Sequence, residues 1–146
     1  MTNAYRYAVS LRIEHPSIDP AEITSALKLE PFRCWRAGEP RTTPIGKPLS
    51  GNWRESYWTS RDIANGEWPG VSLPTALGQV LDRLFAHRGF FHRIRAEGGR
   101  TEFFIGWYLE GNTGDVFGCD LLARMADLKI DFSPDIYPLD QPQRGL

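Results

Sequence analysis

Arginine and tryptophan side chains are concentrated between residues 33 and 61, a stretch that we call the Arg/Trp cluster. Guanidinium groups bind phosphate or carboxylate through paired hydrogen bonds, and aromatic rings provide surfaces on which flat groups stack. On an open sheet face, such side chains can bind a nucleotide, a single strand or an acidic peptide. The predicted ligand-binding residues are Arg33, Trp35, Arg36, Arg41, Trp53 and Arg54.

The same cluster also fits a purely structural role. Its other members are Lys47, Trp58 and Arg61. Tryptophans on strands commonly pack in a core, and neighbouring arginines lay their aliphatic stems over them. A ligand site requires Trp35 or Trp53 to be partly exposed beside two arginines in a concave pocket. The sequence leaves both interpretations open.

Residues able to catalyse a reaction do not form a recognisable pair. Cys34 lies between Arg33 and Trp35, where nearby cations would lower the pKa of its thiol, but no base accompanies it. His15 precedes Pro16, a placement more typical of a turn residue than of a general base. No G-x-S-x-G, P-loop or G-x-G-x-x-G pattern occurs. We therefore expect no catalytic residues and favour a protein that is not an enzyme.

Metal-ligating residues are few. Neither Cys34 nor Cys119 has a C-x-x-C partner, and the three histidines are not spaced as ligands. We expect no metal site, no cofactor and two reduced cysteines.

Length and composition are ordinary for one domain, which we expect to span residues 1–146. The formal net charge of −1 argues against a protein that wraps nucleic acid, for which a strongly basic domain is expected. The first residues lack a basic start followed by an apolar run, and no stretch reaches the ~18 apolar residues of a membrane helix. We predict a cytoplasmic protein with neither a membrane nor nucleic acid as partner.

The opening stretch predicts a strand followed by a helix. Between Tyr5 and Ile13, apolar residues alternate with polar or small ones, which is typical of a strand with one buried face. Asp19 can cap a helix whose first position is Pro20. We expect this helix to run to about Lys28.

The middle of the chain is predicted to contain strands joined by long loops. Strands are expected at 32–35 and 53–60, the second rich in aromatic residues and threonine. Proline and glycine occur densely in residues 37–52, which are predicted to be a loop, as are residues 62–70.

The clearest helix lies in the second half. Apolar residues recur at helical spacing from Leu73 to Phe85, with Ser72 as the cap and Gly89 as the stop. Residues 90–97 fit either a short helix or a hairpin strand, and we favour the helix.

Two strands and one helix complete the chain. Strict alternation predicts a central strand at 101–109. Asp120 is predicted to cap a third helix, and residues 130–137 to form a last strand loosened by Pro134. We expect residues 137–146 to be a loosely ordered tail.

These elements follow one another as strand, helix, strand, strand, helix, strand, helix, strand. The first six match the ferredoxin-like pattern, to which a helix and a strand are added. We predict an α+β fold with one mainly antiparallel sheet and helices on one face. The other face would be open to solvent or to a partner.

Several short motifs near the amino terminus match those of a known family. They are His15-Pro16, Asp19-Pro20, Ile23-Thr24 and the exit residues Leu27, Leu29 and Pro31, followed by Trp35, Arg36, Gly38 and Trp53. With these motifs, the chain resembles the bacterial domain-of-unknown-function family 4279 over most of its length. The resemblance implies a fold class and no activity.

Together, these features predict a non-enzymatic binding module. In the first hypothesis, another protein or a second copy of the chain binds the open sheet face or the loop from Gly38 to Gly51. In the alternative, the Arg/Trp cluster on residues 33–61 binds a small ligand or the phosphate of a nucleotide.

Overall fold

The structure, a computed structural model, describes residues 3–139, and the predicted first strand lies inside its main sheet. This strand, β1, spans Tyr5–His15. Every second residue from Tyr5 onward is buried, while the residues between them are exposed or half-buried. The alternation that predicts the strand therefore also separates two faces of the sheet.

The other elements follow in the order that the sequence broadly predicts. After β1 come α1 (Pro20–Leu27), β2 (Pro31–Trp35), β3 (Pro40–Thr42), β4 (Pro48–Asn52), β5 (Ser56–Ser60) and β6 (Ala64–Trp68). The second half contains α2 (Leu73–Leu84), a 3-10 turn (Phe85–His87), α3 (Arg88–Ala96), β7 (Arg100–Leu109), α4 (Cys119–Asp127) and β8 (Ile130–Pro138). The fold is α+β, as predicted.

Six strands form one sheet. The strand order is β2-β5-β1-β7-β8, and β6 pairs with the amino-terminal half of β1 on the side where β5 pairs with the other half. All pairs in this sheet are antiparallel except β7 with β8. The sheet is therefore mainly antiparallel, as predicted, and β3 and β4 form a separate hairpin.

The buried face of the sheet packs against the helices. Trp58 on β5 is fully buried there, and its Nε1 donates to Thr24 Oγ1 of α1 at 2.9 Å. Leu77 of α2 belongs to the same buried cluster. The polar residues of β1, among them Ser10 and Arg12, lie on the opposite face, which we call the open face.

Two segments predicted as loops contain strands. Residues 37–52 include the hairpin of β3 and β4, and residues 62–70 include β6. β6 has the sequence ANGEW, which lacks the β-branched residues and alternation typical of a strand. It pairs with residues 5–9 of β1, whose backbone N–H and C=O groups require partners.

The strand predicted from Trp53 onward begins later, at Ser56. Trp53 extends the hairpin instead, because its N–H donates to Glu39 O at 2.9 Å and its carbonyl accepts from Gly38 N at 2.8 Å. The hairpin is thereby closed at its base.

Several helix predictions are confirmed. Asp19 caps α1 by accepting from Ala21 N, and Ser72 caps α2 by accepting from Thr75 N. Residues 90–97 fall largely within α3, the alternative that we favour above. No helix among residues 3–139 combines the length and the hydrophobicity needed to cross a membrane.

Three helix boundary predictions are wrong. Gly89 lies inside α3 and does not end α2, which passes into the 3-10 turn. Phe85 lies in that turn and is 54% exposed, so it is not part of the buried stripe. Asp120 lies in the first turn of α4, where Gly118 occupies the cap position without a side-chain hydrogen bond.

The last strand is longer than predicted. Tyr137 and Pro138 belong to β8, and Pro134 stays in register opposite Ile105 of β7. β8 lies at the edge of the sheet, so one side of this strand has no neighbour. Pro134 is tolerated there because an edge strand does not need every backbone N–H for pairing. Residues 140–146 of the predicted tail lie outside the described residues.

Candidate functional site

Strand pairing on one side of β1 is interrupted near the middle of the strand. β5 pairs with residues 12–15 of β1 and β6 with residues 5–9, so Ser10 and Leu11 fall between the two strands. The Leu11 N–H donates instead to the Oγ of Ser60 at 2.9 Å. This break in the backbone ladder borders a groove on the open face of the sheet.

A β-bulge in β2 supplies one wall of this groove. Pro31 lies opposite Ser60 and Arg33 lies opposite Thr59, so β2 advances two residues while β5 advances one. In a regular strand, neighbouring side chains point to opposite faces. Here Phe32 and Arg33 both line the same groove, which matches the way bulges redirect side chains.

The groove, which we call the open-face groove, has a volume of about 590 Å³. Its lining residues come from β1, β2, β5, β7 and the connection after β5, and are Ser10, Arg12, Phe32, Arg33, Tyr57, Thr59, Ser60, Arg61, Asp62 and Phe104. Three arginines face one aspartate in this set. Basic side chains therefore outnumber acidic ones in the lining, in a chain whose formal net charge is −1.

The three arginines differ in their partners. Arg12 pairs with Glu102 at 3.2 Å, and Arg61 pairs with Glu30 at 3.1 Å. Arg33 has no acidic partner within ion-pair distance among residues 3–139, and its guanidinium lies 4.9 Å from the centre of the Trp35 ring. Arg33 is therefore the groove arginine whose charge no carboxylate of the described chain offsets.

Aromatic rings form a continuous row across the open face. The Arg12 guanidinium lies 4.0 Å from the centre of the Phe104 ring and 5.9 Å from that of Tyr57. Tyr57 stacks on Trp35 with centres 4.5 Å apart, and Trp35 stacks on Trp53 at 3.7 Å. The row connects β7 to the β3–β4 hairpin and stiffens the face that carries the groove.

A second pocket, of about 490 Å³, lies at the hairpin end of this row. It is lined by Glu14, Trp35, Arg41, Gly51, Asn52, Trp53, Arg54, Glu55 and Tyr57. Two arginines and two glutamates line this pocket. The glutamates pair with Arg100, and neither arginine has an acidic partner within ion-pair distance among residues 3–139. Because two carboxylates line it, the second pocket is the weaker candidate for binding an anion.

Two carboxyl groups of the second pocket, those of Glu55 and Glu14, flank one guanidinium. Interaction with the Glu14 side chain raises the pKa of Glu55 above its usual range, and partial burial adds to the effect. Arg100 opposes the rise, since it lies 3.5 Å from Glu55 Oε1 and 2.9 Å from Glu14 Oε2.

The sequence of the whole described fold matches one family. The family model for a domain of unknown function, DUF4279, matches residues 3–139. The chain belongs to the DUF4279 family. The resemblance inferred from its amino-terminal motifs is thus confirmed. No curated protein and no solved structure matches the chain.

The structure of this DUF4279 chain separates the residues predicted to form one site. The second pocket contains Trp35, Arg41, Trp53 and Arg54. Arg33 lines the open-face groove instead. Arg36 lies apart from both, next to α1, where its Nη1 is 3.6 Å from Asp19 Oδ2. The Arg/Trp cluster therefore contributes to two adjacent pockets and one helix contact.

The arginines beside Cys34 do not lower the pKa of its thiol. Partial burial raises this pKa, and the nearby acids Glu39 and Asp19 add to the rise. Arg36 is paired with one of these acids, Asp19, so its charge is offset.

Two groups of groove residues in the DUF4279 chain were missed from the sequence. Ser10 and Arg12 come from β1, and Phe104 comes from β7. All three are at the alternate strand positions whose side chains face away from the core. Once the strand order is known, grouping the outward-facing positions of neighbouring strands places these residues beside Arg33.

Proposed function

We propose that this DUF4279 protein is a non-enzymatic binding module that holds a small anionic ligand in the open-face groove. The observation that carries the proposal is Arg33, which lines the groove without an acidic partner among the described residues. Its planar guanidinium presents paired donors that match phosphate and carboxylate oxygens. An anion would give this arginine the partner that residues 3–139 do not provide.

The surroundings of Arg33 support the same ligand chemistry. Arg12 and Arg61 line the groove from β1 and from the connection after β5, while Asp62 is the one acid among the described lining residues. The side chains of Ser10 and Thr59 add hydroxyl groups. Charged and neutral donors therefore surround one space, as recognition of an oxyanion requires.

The shape of the groove supports a small molecule. Its volume of about 590 Å³ falls in the range of roughly 300–1,000 Å³ that is usual for small-molecule sites. Trp35 and Trp53 are half-buried beside Arg41 and Arg54 in the neighbouring concave pocket, which is the arrangement required of a ligand site. A tryptophan next to the groove also offers a spectroscopic reporter of binding.

Isothermal titration with ribose 5-phosphate tests the proposal. We expect binding that weakens as salt is added, because the contact is between charged groups that salt screens. Arg33→Gln should weaken binding roughly tenfold, the loss expected for one charge-assisted hydrogen-bonding group. Arg95→Gln is the matched control, because Arg95 is exposed on α3, away from the groove.

The two substitutions change the net charge equally, so they separate a local contact from general attraction. Loss of affinity in Arg33→Gln alone supports the groove. Equal losses in both variants, or no binding by the unmodified protein, would contradict the proposal.

A second candidate function is contact with another copy of the chain through the β3–β4 hairpin. Ile45 is 79% exposed and Leu49 is 41% exposed there, and apolar side chains gathered at one exposed tip commonly mark a contact surface. Sedimentation velocity across a wide concentration range tests this, with Ile45→Glu as the variant. A mass that stays monomeric at all concentrations would exclude it.

We also propose the ferredoxin-like plan for residues 1–146 as a single domain in the cytoplasm. The order β7-β1-β5-β2, with every pair antiparallel, supports the plan, since β1, α1, β2, β5, α2 and β7 then follow the required sequence. Two exposed, unpaired cysteines, Cys34 and Cys119, support a reducing compartment.

A further inference from the structure

The rings that line the open-face groove are not equally available to a ligand. Tyr57 is stacked on Trp35 and lies near Arg12. Phe104 has the same Arg12 guanidinium 4.0 Å from its centre. Both rings are therefore engaged by neighbouring side chains of the protein.

Phe32 is the most exposed aromatic side chain of the groove. Its side chain is 65% exposed, and no aromatic ring among residues 3–139 stacks on it. The Arg61 guanidinium lies 5.5 Å from its centre and contacts one part of the ring. Most of this ring therefore stays accessible to a ligand, and the geometry of β2 explains how it comes to lie in the groove.

The bulge in β2 gives that explanation. It brings Phe32 and Arg33, neighbours in sequence, into the same groove, where a regular strand would point them to opposite faces. A flat hydrophobic surface and an unpaired guanidinium are thus presented side by side. A ligand that used both would need a ring and an anion separated by a short spacer.

We infer that the ligand is a flat aromatic ring joined to a phosphate, the chemistry of a nucleoside monophosphate, with the ring on Phe32 and the phosphate on Arg33. This inference rests on the proposed binding of an anion in the open-face groove. The hydroxyl groups of Ser10 and Thr59 line the same groove and can hydrogen-bond a sugar.

A single nucleotide fits this face better than a nucleic acid strand. Acidic residues lie on the strands to either side: Glu14 lines the second pocket, Glu102 of β7 pairs with Arg12, and Asp131 of β8 is in register with Glu102. A strand that carries one phosphate per nucleotide would meet these charges as it left the groove. One phosphate held at Arg33 avoids them.

Isothermal titration with matched ligands separates the parts of this inference. The ligands are adenosine monophosphate, ribose 5-phosphate, adenosine, phenylacetate and a short oligodeoxyadenylate. The variants are Phe32→Leu, which keeps an apolar side chain but removes the ring, and Phe85→Leu as control. Phe85 is a fair match because it is 54% exposed and has the Arg88 guanidinium 4.9 Å from its centre.

We expect adenosine monophosphate to bind roughly tenfold more tightly than ribose 5-phosphate, the gain typical of one base stacked on an aromatic side chain. Phe32→Leu should remove this gain and leave the affinity for ribose 5-phosphate unchanged. Phe85→Leu should change neither affinity. Adenosine and phenylacetate should bind more weakly than adenosine monophosphate.

Other results of these titrations would each overturn one part of the inferred ligand. Equal affinities for adenosine monophosphate and ribose 5-phosphate would overturn the aromatic ring while leaving the proposed anion site standing. Tightest binding by adenosine or phenylacetate would overturn the phosphate, and tightest binding by the oligonucleotide would overturn the single nucleotide. Failure of every ligand to bind would overturn both this inference and the proposed function.

Discussion

The indole rings of Trp35 and Trp53 stack face to face, with centres 3.7 Å apart and planes inclined by 12°. Trp35 lies on β2 in the main sheet, and Trp53 closes the base of the β3–β4 hairpin. The stack therefore joins two sheets that share no strand pairing. It also fixes one end of the aromatic row that runs past the open-face groove.

Trp53→Leu should lower the free energy of unfolding by about 1–3 kcal/mol, because it removes the stack and part of the buried apolar area. Urea unfolding measures the loss, and near-UV circular dichroism reports the missing ring pair. Trp53→Phe is the matched control, since it retains a ring against Trp35. Equal losses in both variants would show that the stack itself contributes nothing.

His15 holds the turn between β1 and α1. Its Nδ1 accepts from Ser17 N at 3.0 Å and from Ile18 N at 2.9 Å, and its Nε2 lies 2.8 Å from Glu97 Oε1. The two backbone donors require a bare Nδ1, so the proton is on Nε2 and is donated to Glu97. The histidine is a turn residue, as its place before proline predicts.

His15→Ala should therefore destabilise the protein by about 1–3 kcal/mol, because it leaves buried backbone donors without an acceptor. His15→Asn should lose less, since an asparagine side chain can accept from the N–H two residues ahead. Urea unfolding of both variants gives the comparison. Indistinguishable losses would rule out the acceptor role of Nδ1.

The raised pKa of Glu55 predicts a pH dependence. This pKa is raised in the folded protein chiefly by interaction with the Glu14 side chain and then by burial. A carboxyl group with a raised pKa binds its proton more tightly when folded. Its contribution to stability is complete below the unfolded pKa of about 4.3 and is lost as the pH rises through the folded value.

Glu55→Gln keeps a donor to Glu14 without a titrating proton. Its stability relative to the unmodified protein should therefore increase as the pH rises from about 4 to 7. Urea unfolding at several pH values measures this difference. A difference that does not change with pH would contradict the raised pKa of Glu55.

Two glycines should respond oppositely to alanine. A Cβ at Gly99 would lie 2.8 Å from both Glu14 O and Ile94 Cγ2, so Gly99→Ala should destabilise by about 1–3 kcal/mol. A Cβ at Gly89 meets nothing within 4 Å, and the residue lies in α3. Gly89→Ala should therefore stabilise by about 0.5–1 kcal/mol.

Thermal and urea unfolding test this pair together. If Gly99→Ala stabilised the protein, the groups around the new methyl, Glu14 O and Ile94 Cγ2, would have to move apart without cost. A destabilised Gly89→Ala would mean that the helix there depends on glycine for a reason other than space.

Local signals made parts of the fold predictable. β1 follows from strict alternation, and the start of α1 follows from Asp19 and Pro20, because both depend on residues a few positions apart. β6 and the β3–β4 hairpin were missed, since their sequences carry glycine, proline and polar residues. Their pairing is decided by distant partners that local pattern does not report.

The candidate site, like the fold, was only partly predictable from the sequence. Arg33 stands out because it belongs to a stretch of about thirty residues that is rich in arginine and tryptophan. Its companions Arg12 and Phe104 come from two other strands and are assembled by the strand order. The bulge that brings Phe32 into the groove depends on the register between β2 and β5, which has no local signal.

The most direct test of anion binding in the open-face groove is a two-dimensional ¹H–¹⁵N NMR titration of the assigned protein with ribose 5-phosphate. The account predicts saturable shifts concentrated at Ser10, Arg33, Thr59 and Arg61, and in Arg33→Gln the shifts at the other three residues should require roughly tenfold more ligand. Shifts confined to the helices or the hairpin, or none at all, would contradict it.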